Sequence, residues 1–127
     1  MANPLKVKLD KTTTPWTVDI DENNGANHFP QSANSQTISW QLTGNAATGT
    51  FVDFYFLPNQ TPDPGTIFGA PNYGTDKKSL SVSDNNISSS TTGTWIYYLE
   101  INVDGSPYST TSSTLTAVTN NPTIKNT

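Results

Sequence analysis

At 127 residues the chain fits a single domain spanning 1–127. Its 21 Thr, 13 Ser and 14 Asn favour strands, turns and loops over helix interiors, which excludes a helical bundle. A charged fraction of 13% with a net charge of -4, alongside 13 aromatic residues, excludes the highly charged, aromatic-poor composition of a disordered chain.

All six basic residues are lysines, and without arginine there is no bidentate grip on phosphate or guanine, so nucleic acid is excluded as an expected partner. Zero cysteines remove disulfides, thiolate nucleophiles, zinc ribbons, iron–sulfur clusters and blue-copper sites, and no cofactor is expected. The Met1-Ala2-Asn3-Pro4 start lacks the apolar stretch of a secretory signal, and no apolar run is long enough to span a bilayer. A soluble, cytoplasmic protein without a membrane partner is the expectation. On that expectation the acceptor patterns Asn59-Gln60-Thr61 and Asn86-Ile87-Ser88 are chance matches.

Leu5, Val7 and Leu9 alternate with Lys6, Lys8 and Asp10, the two-residue period of a half-buried strand. Trp16, Val18 and Ile20 predict a second strand. Residues Asp21 to Gln36 are rich in turn formers without apolar period and predict a long loop. Ile38, Trp40 and Leu42 then alternate, and Phe51 to Leu57 follows after the turn-rich Gly44 to Gly49, so the two segments predict a hairpin. The near-continuous apolar run from Phe51 suits a central strand covered on both faces. Asn59 to Asp76, broken by Pro62, Pro64 and Pro71, predicts a second long loop.

A short strand is expected around Leu80 and Val82, followed by a polar turn region from Ser83 to Thr92 and by the strongest strand of the chain, Thr94 to Val103. Asp104-Gly105 is a two-residue hairpin signal, because both positions accept positive φ. The return arm Ser106 to Thr111 carries Pro107, which places it at a sheet edge. Leu115, Ala117, Val118, Pro122 and Ile124 predict a closing strand. Seven or eight short strands with regular turn signals describe an all-β fold, an antiparallel two-sheet sandwich of immunoglobulin-like or cupredoxin-like type.

His28 is the one side chain whose ordinary titration lies near neutrality, but no strained serine elbow accompanies it, so it is read as a loop residue with a small hydrolase as a remote alternative. The two glutamates, Glu22 and Glu100, offer little to glycosidase chemistry. Asp19, Asp21 and Glu22 superficially suit calcium, but the glycine falls one place late and Pro30 stands at the twelfth position; a looser site is the residual possibility beside an acid-capped turn.

The aromatics are more informative. With Trp95, Tyr97 and Leu99 inward, Ile96, Tyr98 and Glu100 point outward; with Val52, Phe54 and Phe56 inward, Phe51, Asp53 and Tyr55 point outward. The resulting aromatic surface is either covered by the 59–76 loop with Ile67, Phe68 and Tyr73 as a lid, used for self-association, or used as a ligand platform. Phe51, Tyr55, Tyr73, Ile96 and Tyr98 are the candidate interface or ligand residues. The expected function is non-enzymatic protein–protein contact within a homo-oligomer. The second reading is a carbohydrate-binding module whose glycan stacks on Tyr73, Trp16 or Tyr98.

The C-terminal third, through Gly93-Thr94-Trp95-Ile96-Tyr97, Val103-Asp104-Gly105-Ser106-Pro107-Tyr108 and Asn121-Pro122-Thr123-Ile124-Lys125-Asn126, resembles DP-EP, a family of small bacterial β-sandwich proteins of unknown function. The resemblance implies a fold and no activity.

Overall fold

A computed structural model of the chain describes residues 4–12, 14, 16–110 and 122–127. The described residues form ten strands: β1 (Leu5–Asp10), β2 (Thr17–Asp21), β3 (His28–Phe29), β4 (Gln36–Leu42), β5 (Thr50–Phe56), β6 (Asn72–Tyr73), β7 (Ser79–Asp84), β8 (Gly93–Val103), β9 (Ser106–Ser109) and β10 (Thr123–Asn126). They build two facing sheets, β2-β1-β4-β7-β6 and β3-β10-β8-β5 with β9 added beside β8. The protein is a β-sandwich, as the alternation predicts.

The core lies between the sheets. Leu5, Val7 and Leu9 of β1, Ile38 and Trp40 of β4, and Leu80 and Val82 of β7 point inward from the first sheet. From the second, Trp95, Tyr97, Leu99, Ile101 and Val103 of β8 meet them, every other residue of an eleven-residue strand. Trp40 packs on Phe54 and Tyr97 with ring centroids 5.0 and 5.5 Å apart, and its Nε1 donates across the core to the Tyr97 hydroxyl at 3.0 Å. Burial pushes that hydroxyl's pKa far above the usual tyrosine value. Tyr97→Phe removes the acceptor and strands a buried indole N–H, so urea denaturation should read a loss of about 1–3 kcal/mol.

Several expectations are corrected. The segments 38–42 and 51–57 do not form a hairpin. Both edges of β4 are taken, by β1 in parallel and β7 in antiparallel pairing. The intervening turn is pinned to β1 instead: Asn45 Oδ1 accepts from Leu9 N at 2.8 Å and its Nδ2 donates to Leu9 O at 3.0 Å, so the chain crosses to the other sheet. There β5 is an edge strand, not a central one. Its outer edge is blunted, since Phe51 N donates to Lys77 O at 2.8 Å and Phe54 N to the Asp53 side chain at 2.9 Å.

The sheets are mixed rather than purely antiparallel, because β1 runs parallel to β4 and β10 to β3. The 21–36 segment is not featureless: it carries a 3₁₀ turn at Asn23–Gly25 and then β3, whose Phe29 is buried. The hairpin at Asp104-Gly105 forms as expected, with φ of 54° and 83°. The closing strand is realised at its end as β10, while Leu115, Ala117 and Val118 lie outside the described residues.

Candidate functional site

The outer face of the second sheet is the candidate site. Register places Tyr55 of β5 directly opposite Tyr98 of β8, and their rings stack with centroids 4.7 Å apart at 20°. Tyr55 is 46% exposed. Ile96, two residues before Tyr98 and therefore on the same face, is half-buried beside the pair. Tyr98 donates its hydroxyl to Glu100 Oε1 at 2.8 Å, and partial burial together with that acceptor pushes its pKa up to about 12. Tyr55, Ile96 and Tyr98 thus share one surface.

Phe51 does not belong to it. The β5–β8 register shifts between Phe51 and Asp53, a bulge that places Val52 and Asp53 both toward solvent and returns Phe51 and Phe54 to the core. Phe51 is fully buried, and the exposed apolar residue is Val52, at 44%. Strict alternation across Phe51 to Phe56 therefore assigned Phe51 to the wrong face and missed Val52. The hydrophobic run itself gives no sign of a bulge.

Tyr73 is also elsewhere. It lies half-buried on β6 of the first sheet and packs against the core, with burial and the Asp53 carboxylate raising its hydroxyl pKa. The 59–76 segment forms no lid over Tyr55 and Tyr98. Ile67 and Phe68 enter the core, where Phe68 stacks on Phe56 at 4.4 Å and meets the edge of Trp95 at 5.1 Å. Gln60 closes the end of the face instead, its Oε1 accepting from Ile96 N at 2.7 Å and its Nε2 donating to Ile96 O at 2.9 Å.

Trp16, 40% exposed, stacks on Tyr108 at 5.8 Å and has Lys11 Nζ 4.6 Å from its ring centroid, so its aromatic surface is engaged within the chain. The acids near the 21–36 segment are engaged too. Glu22 Oε2 accepts from Asn27 Nδ2 at 2.6 Å and from Thr123 N at 3.2 Å, tying that segment to β10, and burial raises its pKa despite these bonds. Asp21 Oδ1 accepts from Asn23 N at 2.9 Å, and Asp19 faces Lys8 at 3.9 Å. Among the described residues no three acids or histidines converge on a point that could hold a metal ion. His28 is exposed on β3, in register with Lys125 of β10. Of the two acceptor patterns, Asn59 is exposed whereas Asn86 is buried and bonded. Among the described residues no helix is long and apolar enough to cross a membrane.

No protein-family model, curated protein or solved structure matches the chain.

Proposed function

We propose that the protein is a non-enzymatic β-sandwich that associates with a second copy of itself through the outer face of the sheet carrying β5, β8 and β10. The observation that carries this reading is the stacked Tyr55–Tyr98 pair, half open to solvent, with Ile96 two residues along β8 and the exposed Val52 further along β5. Tyrosines present large rigid surface at low entropic cost and are enriched at protein interfaces.

The charges on the face favour a copy of the same chain. Glu100 and Asp53 lie side by side at one end, and Lys125 lies opposite Thr94 at the other. A two-fold axis level with residue 97 sets the acidic end of one face level with the Lys125 end of its mate, so attraction replaces like-charge repulsion. The blunted β5 edge disfavours strand addition there, beside the face. Four partly exposed side chains cover far less than the roughly 800 Å² per partner of a standard interface, so the association is weak and concentration-dependent.

Tyr55→Ser combined with Tyr98→Ser should lower the assembled mass seen by light scattering across a concentration series, with unchanged circular dichroism. An unaltered mass, or a wild-type protein monomeric at millimolar concentration, would defeat the reading. The C-terminal cues place Gly93–Tyr97 on β8 and Val103–Tyr108 across the β8–β9 hairpin, and we propose kinship with DP-EP at the level of fold only.

A further inference from the structure

Where β7 and β10 meet, two polar side chains occupy core positions. Asp84 follows the inward-facing Leu80 and Val82, Asn126 follows the inward-facing Ile124, and the two are 0% and 4% exposed. Asn126 Nδ2 donates to Asp84 Oδ1 at 2.9 Å and to Thr91 O at 3.0 Å. These acceptors fix the amide's orientation, because turning it over would set Oδ1 against both. Two buried oxygens, Asp84 Oδ2 and Asn126 Oδ1, then have no hydrogen-bond partner among the described residues. Both are acceptors while the carboxyl is ionised. A proton on Asp84 changes that, since acid and amide then offer each other one donor and one acceptor.

We propose that Asp84 carries its proton in the folded protein at mildly acidic pH and donates it from Oδ2 to Asn126 Oδ1, closing a two-bond clasp between the sheets that ionisation opens. The clasp holds β10, and with it the strand pairing of β3, onto the sandwich.

Among the described residues the surroundings supply no counter-charge. The chain neighbours of Asp84 are Ser83 and Asn85, β4 presents Gln36 in register with it, and Phe68 bridges it from the side. The turn that reaches Asn126 contributes Thr91, and nearby Asp63 is exposed with its carboxylate on Gly65 N. Lys125 and His28, on the strands packed beside Asn126, are both exposed, on the positions alternate to Asn126 and Phe29. Burial is accordingly the leading cause that pushes Asp84 up to about 6, against the opposing pull of the Asn126 bond.

The folded pKa lies above the unfolded one, so the stabilisation is complete below the ordinary aspartate value of 3.8 and is lost as pH rises through about 6. The corresponding fall in the folding equilibrium constant is roughly a hundredfold.

Two measurements test this on the full chain. In a ¹³C NMR titration the Asp84 carboxyl carbon should change about two pH units above the ordinary aspartate range. Asp84→Asn supplies a permanent donor to Asn126 Oδ1. It should therefore be more stable than wild type at pH 8, lose the fall in stability between pH 4 and 7, and slow amide exchange at Lys125 and Thr127. Asp84→Ala, which only strands Asn126, should be less stable than Asp84→Asn at both ends of the range. An Asp84 carboxyl titrating in the ordinary aspartate range would overturn the clasp, as would Asp84→Asn less stable than wild type at pH 8. If Asp84→Asn does not fold, the wild-type titration decides alone.

Discussion

Trp95→Ala is expected to remove about 3–5 kcal/mol of folding stability, the largest loss from any single core truncation in this protein. Trp95 is fully buried near the start of β8, in register with Ile124 of β10. Its ring meets Phe68 edge-on at 5.1 Å, and its Nε1 donates to Pro62 O at 2.7 Å. One side chain therefore seats the 59–71 segment, the last strand and the longest strand against one another. Alanine leaves a cavity where these pieces meet and strips Pro62 O of its donor. Trp95→Phe is the milder test, since it keeps a six-membered ring in place while losing the N–H and the pyrrole carbons, and it should cost about 1–2 kcal/mol. Urea denaturation checks both, and a Trp95→Ala loss below about 1 kcal/mol would show that the segment is held by something else.

The second large effect lies at Asn86. Its Nδ2 donates to Phe29 O at 2.9 Å and to Thr127 O at 3.3 Å, its Oδ1 accepts from Thr91 Oγ1 at 2.9 Å, and its carbonyl accepts from Ser32 N at 2.8 Å. The residue is fully buried and binds β3, the end of β10 and the 88–91 turn in one network. Asn86→Asp changes little in size but turns two donated bonds into a carboxylate facing two carbonyl oxygens. At pH 7 the expected cost is about 3–5 kcal/mol, that of an uncompensated buried charge.

The introduced carboxyl has a folded pKa raised by this burial, so stability is lost as pH rises through that value and recovers toward acid pH. Asn86→Ala, which leaves orphaned groups but no charge, should cost about 1–3 kcal/mol at any pH. Parallel unfolding curves at pH 5 and pH 7.5 distinguish them. If the Asp variant matches the Ala variant at pH 7.5, the network is open to water and the reading fails.

Strand identity was legible because the two-residue period is a local property. Leu5-Lys6-Val7-Lys8-Leu9 and Trp95 to Val103 alternate inward and outward as their side chains demand, and Asp104-Gly105 announces its own turn. The stacked face was half legible for the same reason: Tyr98 and Ile96 followed from β8, and Tyr55 from β5. Phe51 did not, because the bulge at Val52 and Asp53 breaks the period without leaving a mark in a run where Phe51, Val52, Phe54, Tyr55 and Phe56 could each face the core.

Apart from the β8–β9 hairpin, which strand pairs with which belongs to the tertiary structure alone. Periodicity records the face a side chain takes, whereas pairing depends on which edges remain free once other strands have docked. With β1 and β7 on its two sides, β4 had no edge left for β5, and the Asn45 bonds to Leu9 sent the chain across. The polar cluster of Asp84, Asn86 and Asn126 was invisible for a related reason. An Asp or Asn in a turn-rich sequence is ordinarily solvated, and only the approach of two distant strands removes the water and makes its hydrogen-bond partners decisive.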